Sequence, residues 1–376
     1  MMIWLAALSL LVWTYLLTAH GRFWQAGPIL DPARLDPAPP VAVVIPARDE
    51  APVIERALRS LLAQTYAGPL AVILVDDGST DGTGEIARAI DDPRLTVLTG
   101  KPRPDGWSGK LWAVAQGIDA ASRAVPDAGL ILLSDADIEH DPAHLGALVA
   151  RQQAEGLDLV SEMVELNCES MAERALVPAF VFFFALLYPF ARVNNPKSRV
   201  AAAAGGTILI RRAALARIGG IAAVRGALID DVTLATAVKA GGPIYLGHSQ
   251  LARSIRPYPH PADIWRMVAR TAYVQLRYSP LLLAGTVLGM GLVWLVPPVA
   301  ALFGHGAARW LGLLAWAAAS FSYVPTLLRF RLSPIWAPFL PLVACFYTAA
   351  TLGSAVNHYR GRGVVWKSRA YQGAGA

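Results

Sequence analysis

Two stretches decide the fold: Leu70-Ala-Val-Ile-Leu-Val-Asp-Asp-Gly-Ser-Thr-Asp81 and Leu130-Ile-Leu-Leu-Ser-Asp-Ala-Asp137. In each, a short aliphatic run leads directly into aspartates. Aliphatic runs bounded by turn residues are typical of buried parallel strands. The aspartates are therefore expected at the carboxyl edge of an open α/β sheet, where ligands of that architecture bind.

The alternation of strand and helix patterns extends outward from these stretches. It predicts an α/β domain over residues 41–260 with a Rossmann-like, mostly parallel sheet and right-handed crossovers. Residues 21–40 are rich in proline and are predicted to be a linker. The expected strands are 41–45, 70–75, 95–98 and 130–133, and the expected helices are 51–64, 84–90 and 110–121.

The composition indicates a membrane protein. Hydrophobic residues make up 55% of the 376 residues and charged residues 16%, and the mean hydropathy is +0.43, which is too apolar for an ordinary soluble chain. Residues 1–20 are predicted to be a transmembrane helix, and 281–357 contains three further stretches of spanning length. Residues 176–190 are expected to form an interfacial helix, or alternatively a buried helix of the α/β domain. An amphipathic interfacial helix is expected over 261–280.

The charge pattern indicates orientation. The formal net charge is +6, and arginines adjoin apolar segments, which favours anchoring near anionic lipid over nucleic-acid binding. The positive-inside rule predicts a multi-pass protein of the cell inner membrane, with residues 41–260 and the basic tail 358–376 in the cytoplasm. The loop at Arg329 and Arg331 is also basic, so one ordinary span cannot separate it from the tail. The stretch 335–356 is therefore the best candidate for a re-entrant or broken helix.

The two cysteines, Cys168 and Cys345, lie far apart in the sequence, which excludes a disulfide framework or a cysteine zinc site. His140 and His144 have the i, i+4 spacing that can bind zinc. A third ligand is not evident, and no metal site is predicted there.

Asp135 and Asp137 form a D-x-D triplet at a predicted strand end. Two carboxylates at this spacing suit a hard divalent cation held against a diphosphate. Aspartates also favour strand ends and helix caps for structural reasons, but the position after a second acidic loop favours the metal-diphosphate interpretation. That first loop, with Asp76, Asp77 and Asp81 among glycines, either contacts a base or ribose or is an ordinary turn.

Lys110 stands at a predicted helix start behind a glycine-containing loop, where it either meets phosphate oxygens or is simply solvated. The adjacent Asp230 and Asp231 repel each other, which raises the pKa of one and makes it a plausible proton acceptor; a helix cap is the alternative. Arg266, Arg270 and Arg277 either neutralise a leaving diphosphate or face lipid head groups.

Taken in order, these segments resemble the family 2 glycosyltransferases, which have the GT-A fold. Within that family the chain most resembles the glycosyltransferases associated with hopanoid biosynthesis. The tail Val365-Trp-Lys-Ser-Arg-Ala-Tyr371 is similar to that of membrane members. The other matching segments are Val43–Glu50, Val75–Gly82, Gly109-Lys110, Ser134–Asp137, Gly205-Gly206 with Arg211-Arg212, and Asp230–Ala235.

The resemblance implies a role for each matching position. Asp137 is expected to hold Mn²⁺ or Mg²⁺ on the donor diphosphate. Asp231, with Asp230 beside it, is expected to be the catalytic base of an inverting displacement. Gly206, Arg270 and Arg277 are expected near the leaving group or acceptor. The expected nucleotide-binding residues are Pro46, Arg48, Asp49 or Glu50, Asp77, Lys110 and Asp135.

One departure from the family pattern concerns the arginines. Many members carry Q-x-x-R-W after the base, whereas Met267-Val-Ala-Arg270-Thr271 keeps only the arginine and Gln275-Leu-Arg277-Tyr278 is an imperfect second match. This places the leaving-group contact and processive synthesis in doubt.

The sequence therefore predicts a metal-dependent inverting transfer of a sugar from a nucleotide-sugar donor, with a UDP-sugar favoured, to a hydroxyl of a membrane lipid such as a hopanoid. Two alternatives stay open. One is a processive polysaccharide synthase, and the other is a non-catalytic membrane protein that retains a nucleotide-binding fold.

Overall fold

The computed structural model describes residues 1–25, 27–33, 35–361, 364–366 and 369–371. The chain forms two compact units. The helical unit contains Met1–Gly27, Cys168–Ala191 and Tyr258–Val365, and the sheet unit contains Pro28–Asn167 and Arg192–Pro257. The helices are α1 Met2–Thr18, α2 Ala51–Leu62, α3 Thr83–Arg88, α4 Gly109–Ala124, α5 His144–Glu155, α6 Met171–Leu187, α7 Phe190–Val193, α8 Arg212–Arg217, α9 Asp230–Lys239, α10 Pro261–Gln275, α11 Pro280–Met290, α12 Val296–Phe303, α13 Ala307–Arg329 and α14 Leu340–Tyr359.

The sheet unit is built on an eight-stranded mixed sheet in the order β3-β2-β1-β4-β7-β6-β8-β5. The four strands β3, β2, β1 and β4 are mutually parallel, as predicted, whereas β7 runs antiparallel to β4 and β6, and β5 antiparallel to β8. The strands are β1 Val41–Ala47, β2 Leu70–Asp76, β3 Leu95–Thr99, β4 Leu130–Ser134, β5 Ile138–His140, β6 Leu159–Glu165, β7 Thr207–Arg211 and β8 Ile244–Ser254.

Strand β1 lies at the centre of the parallel part, and all seven of its residues are buried. Val41 is in register with Leu70 of β2 and with Leu130 of β4, so the three strands end at one edge of the sheet. Because parallel strands share their carboxyl edge, the loops that follow β1, β2 and β4 lie together there. The predicted strand positions are therefore confirmed, and they bring the acidic loops to one side.

Helix α4 lies against this parallel part through a glycine. A Cβ atom on Gly117 would stand 2.3 Å from Cγ1 of Val44, so the position requires a residue without a side chain. The helix begins after Ser108, whose hydroxyl accepts a hydrogen bond of 3.2 Å from the Leu111 amide. This N-cap fixes where the helix starts and therefore where Lys110 stands.

The helical unit contains long apolar helices. Four segments of the described chain are long and apolar enough to cross a membrane: Met171–Val193, Pro280–Phe303, Ala307–Arg329 and Pro334–Tyr359. The last three agree with the stretches predicted within 281–357. Helix α1 is apolar but shorter, at 17 residues.

The stretch expected to be re-entrant or broken forms one helical run. It begins as a 3₁₀ turn over Pro334–Phe339 and continues as α14. Pro338 and its neighbours change the type of helix at the start of the segment, where missing amide donors are tolerated. The expectation of a re-entrant or broken helix in the membrane stays a prediction.

Helix α6 differs from the helix predicted over 176–190. It begins at Met171 because Ser170 caps it and Glu173 completes a capping box, and Pro178 lies inside the helix. The strands that precede and follow α6 in the chain limit the positions of its two ends. The chain enters it from β6 and leaves it towards β7, and these strands are antiparallel neighbours with Leu159 opposite Ile210. The two ends of α6 are therefore tied to one sheet.

Helix α10 is amphipathic, as predicted, with Ile264, Ala269 and Tyr273 buried and Arg266 and Arg270 exposed. It ends at Gln275, earlier than the expected 280. The turn that follows has two residues in the left-handed region, Arg277 at φ 52° and Tyr278 at φ 54°. In the predicted basic tail, the backbone of Val364–Trp366 pairs with that of Arg369–Tyr371. The rest of that tail after Gly361 lies outside the described residues.

Candidate functional site

The loops after β1 and β2 are joined by reciprocal hydrogen bonds. The Asp49 amide donates to Oγ of Ser79 over 3.0 Å, and the Thr80 amide donates to Oδ1 of Asp49 over 2.9 Å. The Glu50 amide donates to Oγ1 of Thr83 over 2.8 Å. Asp49 adopts a left-handed conformation, with φ 50°. This interlock fixes the two loops relative to each other at the carboxyl edge.

The predicted nucleotide-binding side chains meet in this interlock. The Arg48 guanidinium donates to the carbonyl oxygen of Asp77 and lies 3.8 Å from its Oδ2. Arg48, Glu50 and Asp77 are each less than a tenth exposed, and Pro46 is buried on β1. The structure thus brings these four predicted residues to one edge of the sheet.

A second group, here called the acidic cluster, consists of Lys110, Asp135, Asp230 and Asp231. Nζ of Lys110 lies 2.8 Å from Oδ1 of Asp135 and 3.2 Å from Oδ2 of Asp230. The three carboxylates come from the turn after β4 and from the first two residues of α9. The Lys110 ammonium therefore contacts two carboxylates that lie almost a hundred positions apart in the sequence.

Both oxygens of Asp231 are held by backbone amides. Gly205 donates to Oδ2 over 3.0 Å and Val232 donates to Oδ1 over 2.7 Å. These bonds set the orientation of the carboxylate, which no longer depends on free side-chain rotation.

The electrostatics of the acidic cluster favour proton transfer at Asp231. Burial, and then the neighbouring Asp230 carboxylate, raise the pKa of Asp231 to about 7, although Lys110 acts in the opposite direction. Burial would lower the pKa of Lys110, but Asp135 and Asp230 outweigh it, so the pKa of Lys110 is raised and the ammonium persists. A carboxylate with a pKa near the working pH next to a permanent cation is suited to general base catalysis.

The walls of the pocket explain this electrostatic behaviour. A pocket at the acidic cluster is closed on its inner side by aliphatic residues, which screen charges poorly. Its apolar lining comes from Pro46, Leu111, Val114, Leu133, Ile208, Ile221 and Leu234.

Arg256 is a functional candidate that the sequence prediction missed. Its Nη2 lies 2.7 and 2.6 Å from the two carboxylate oxygens of Glu50, and its Nε donates to Oδ2 of Asp137 over 3.0 Å. Oγ of Ser254 donates to the same oxygen of Asp137 over 3.0 Å. Ser254 is the last residue of β8 and Arg256 follows it by two positions. An arginine after a strand gives no local signal of a partner more than a hundred residues away.

The D-x-D turn, residues 135–137, provides a donor set that fits a divalent cation. Among the described residues no hydrogen bond reaches Oδ2 of Asp135 or Oδ1 of Asp137. No cluster of three or more His, Cys, Asp or Glu side chains within the described ranges could hold a metal. Two carboxylate oxygens match Mg²⁺ or Mn²⁺ sites that are completed by substrate phosphates and water.

The remaining predicted residues separate into two groups. Gly206 accepts a hydrogen bond of 3.3 Å from the Asp135 amide through its carbonyl oxygen, whereas the preceding Gly205 is the one that contacts Asp231. Arg270 and Arg277 belong to the helical unit. Their role at a leaving group therefore stays a prediction.

Comparisons with known proteins agree with this geometry. Residues 42–219 match the family model "Glycosyl transferase family 2". The 4,4'-diaponeurosporenoate glycosyltransferase of Staphylococcus haemolyticus is 36% identical over 121 residues, which cover 31% of this chain and 30% of that protein. Glycosyltransferase AglE of Haloferax volcanii is 33% identical over 142 residues, 36% of this chain and 44% of that protein. Both alignments span less than half of the relative's length.

A solved structure with the same fold is the mannosyltransferase PcManGT from Pyrobaculum calidifontis in complex with GDP-Man and Mn²⁺. It has a TM-score of 0.53 and 20% sequence identity, and the superposition covers 95% of this chain and 99% of that one. Residues 42–219 are therefore similar to the family 2 glycosyltransferases, and the structure shares a GT-A-like mixed sheet with PcManGT. This confirms the predicted fold class.

Proposed function

We propose that the protein transfers a sugar, with inversion, from a nucleotide-sugar donor to a hydroxyl group of a membrane lipid. The observation that carries this proposal is the Asp231 carboxylate. Two backbone amides hold this carboxylate, and its surroundings raise its pKa to about 7. Lys110, Asp135 and Asp137 lie at the same edge of the sheet.

The residues divide the reaction between them. Asp231 takes the proton of the acceptor hydroxyl, whose oxygen then attacks the anomeric carbon of the donor. The bond from that carbon to the diphosphate oxygen breaks, and the nucleoside diphosphate leaves with the bonding electrons. Lys110, which stays protonated, neutralises charge that develops on the leaving group. A single displacement of this kind inverts the anomeric configuration.

Metal dependence forms part of the proposal. Asp135 and Asp137 would hold a Mn²⁺ or Mg²⁺ ion, which neutralises diphosphate charge when bound. The neighbouring Arg48, Glu50 and Asp77 would contact the nucleotide from the interlocked loops. A UDP-sugar is the donor we favour, and the GDP-Man in the PcManGT structure makes a GDP-sugar the comparison to include.

The lipid acceptor is inferred from the helices. Four segments of spanning length accompany the domain, and a relative is named for a 4,4'-diaponeurosporenoate acceptor. A lipid hydroxyl at the bilayer surface is the substrate that such an enzyme can reach. Because of the resemblance to enzymes of hopanoid biosynthesis, hopanoid polyols are the first acceptors we propose to test.

Orientation follows from charge. Arg22 follows α1, and Arg329 and Arg331 lie at the end of α13 and in the loop after it. We propose an inner-membrane protein with the sheet unit in the cytoplasm, where nucleotide sugars are available. The two ends of α6, tied to β6 and β7, lie on that same side, so α6 enters the membrane interface without crossing.

The test is a product analysis. The full chain, purified in detergent, is incubated with Mn²⁺, UDP- and GDP-sugars and a total lipid extract, and the lipids are examined by mass spectrometry. The proposal predicts a lipid that gains the mass of one sugar residue. Absence of any glycosylated lipid with every donor would contradict it.

Polysaccharide assembly is the second candidate, because two other relatives are named as succinoglycan biosynthesis proteins, ExoU and ExoO of Rhizobium meliloti. The same experiment separates the two functions. A ladder of products that differ by one sugar each would establish polymer synthesis and overturn single transfer.

A further inference from the structure

A chain of four buried polar side chains, here called the relay, runs through the sheet unit beside the D-x-D turn. Oγ of Ser134 lies 3.0 Å from Nε2 of His140, Nδ1 of His140 lies 2.8 Å from Nδ1 of His144, and Nε2 of His144 lies 2.9 Å from Oε2 of Glu162. The exposed fractions are 2%, 3%, 0% and 1% in that order. The relay is separate from the acidic cluster, and the proposed reaction does not use it.

The relay is an unfavourable way to fill a core. A carboxylate as deeply buried as Glu162 is costly to desolvate, and well-packed apolar residues are often at least as stable as a buried ionic group. A fully satisfied buried network does, however, specify one arrangement of the groups around it. The relay is therefore better explained by the geometry that it imposes than by stability.

The hydrogen atoms of the relay can be ordered from one end to the other. With Glu162 as the acceptor at one end, Nε2 of His144 donates to it and Nδ1 of His144 accepts. Nδ1 of His140 then donates, and Nε2 of His140 accepts from the Ser134 hydroxyl. Burial, followed by the nearby His144, lowers the pKa of His140 well below its usual value, so His140 is neutral as this order requires. Every link is satisfied.

The relay joins the two ends of the D-x-D turn. Ser134 is the last residue of β4 and His140 the last residue of β5, and the turn lies between them. These strands are not neighbours, because β7, β6 and β8 separate them in the sheet. Strand pairing therefore does not connect the two ends directly, whereas the bond between Ser134 and His140 does.

The backbone holds the Asp135 side of the turn loosely, whereas on the other side the Ile255 amide donates to the carbonyl oxygen of Asp137 over 2.9 Å. The Asp135 amide reaches the carbonyl oxygen of Gly206 over 3.3 Å, and the Ile138 amide reaches that of Asp135 over 3.4 Å. Both distances exceed those of strong amide bonds.

We propose that the relay is a positioning device for the D-x-D turn. Through His144 and Glu162 it anchors both ends of the turn to α5 and β6, and so holds Asp135 and Asp137 where they receive the diphosphate of the donor. The donor part of this inference rests on the proposed function.

The test uses two relay variants of the full chain in detergent. Ser134→Ala removes the link to β4 and strands no charge. The double variant His144→Leu/Glu162→Leu removes the middle and the end together, so that no buried carboxylate is left unpaired. Gln152→Leu is the matched control, because Gln152 is also a buried polar residue of α5 and its amide donates to the carbonyl of Leu157 over 2.9 Å.

Two measurements are made on each variant. Hydrogen exchange followed by mass spectrometry should show the amides of residues 135–138 exchanging about tenfold faster in both relay variants than in the control. Calorimetric titration with UDP or GDP in the presence of Mn²⁺ should show about tenfold weaker binding.

The outcomes separate the two ideas. If exchange in the turn matches that of Gln152→Leu, the relay is ordinary core packing and the inference is overturned. If exchange in the turn rises but binding of both Mn²⁺–nucleotides equals that of the unaltered protein, the relay does position the turn. The turn is then not the donor site, and the proposed function fails at that step.

Discussion

The backbone amide of Gly205 donates a hydrogen bond of 3.0 Å to Oδ2 of Asp231. A Cβ atom at position 205 would stand in ordinary van der Waals contact, 3.4 Å from Oδ2 of Asp231 and 3.5 Å from Nζ of Lys110. The close approach of this backbone therefore sets the position of the base.

Replacing Gly205 by alanine should place a methyl group against Oδ2 of Asp231 and Nζ of Lys110 without unfolding the protein. Because that methyl group keeps a reacting group from the same space, we expect kcat to fall about ten- to a hundredfold. The control is Gly129→Ala, where an added Cβ meets no atom within 4 Å. Steady-state rates that agree within about twofold for the two variants would rule out this role for Gly205.

The pKa of Asp231 predicts the acidic limb of the pH–rate profile. The base must be deprotonated to act, so kcat/KM should rise with pH and level off above a pH of about 7. Initial rates measured over a series of buffers test this. A limb at the ordinary position of an exposed aspartate, about pH 4, would mean that another group controls the rate.

Lys110 offers a check on the same assignment. Its positive charge lowers the pKa of Asp231, so Lys110→Met should move the acidic limb to higher pH as well as reduce the maximum rate. Lys101, an exposed lysine in the loop between β3 and α4, is the control. Lys101→Met should leave the acidic limb at the same pH. If Lys110→Met leaves the acidic limb at the same pH, the charge of Lys110 does not influence the pKa of the base.

The ion pair between Arg256 and Glu50 predicts a coupling in stability. Arg256→Gln removes the guanidinium that pairs with the buried Glu50 carboxylate and should destabilise the protein by about 2 kcal/mol. Adding Glu50→Gln removes that buried charge, so the double variant should be more stable than Arg256→Gln alone. Thermal unfolding in detergent measures both.

Arg253 provides the contrast for that cycle. It lies on β8, three residues before Arg256, pairs with Glu139, and its side chain is 57% exposed. Arg253→Gln should change stability by less than about 0.5 kcal/mol. If both arginine variants have the same midpoint, the Arg256 pair is no more than a surface contact.

The connections of α6 predict the topology of that segment. Glu169 and Asn195 are exposed residues on either side of it, and both should face the cytoplasm. In a background of Cys168→Ser and Cys345→Ser, single cysteines at these two positions should react with a membrane-impermeant maleimide in inverted vesicles and stay unlabelled in intact spheroplasts. Labelling from opposite sides would show that α6 crosses the membrane.

The parallel half of the sheet and the three later apolar helices could be predicted because their signals are local. An aliphatic run such as Leu130–Leu133 specifies a buried strand wherever it lies, and a glycine- and aspartate-rich continuation specifies its turn. Helix α6 was predicted too short, since Pro178 was read as a boundary. The capping box of Ser170 and Glu173 was the stronger signal for its start.

The parts that sequence could not supply depend on contacts between distant segments. Arg256 meets Asp137 across 119 residues, and Glu162 meets His144 because β6 and α5 are brought together by the fold. The i, i+4 spacing of His140 and His144 did not predict that the two rings contact each other. It also could not show that Ser134 and Glu162 are their hydrogen-bond partners.

The central claim is that Asp231 is the base of a glycosyl transfer, and Asp231→Asn tests it most directly. The change is nearly isosteric and removes the proton acceptor. We expect kcat for sugar transfer to fall about a thousandfold while the affinity for nucleoside diphosphate and Mn²⁺ changes by less than about twofold. The control is Asp119→Asn, at an exposed ion pair with Arg123 on α4. Turnover by Asp231→Asn that equals the control would contradict the account.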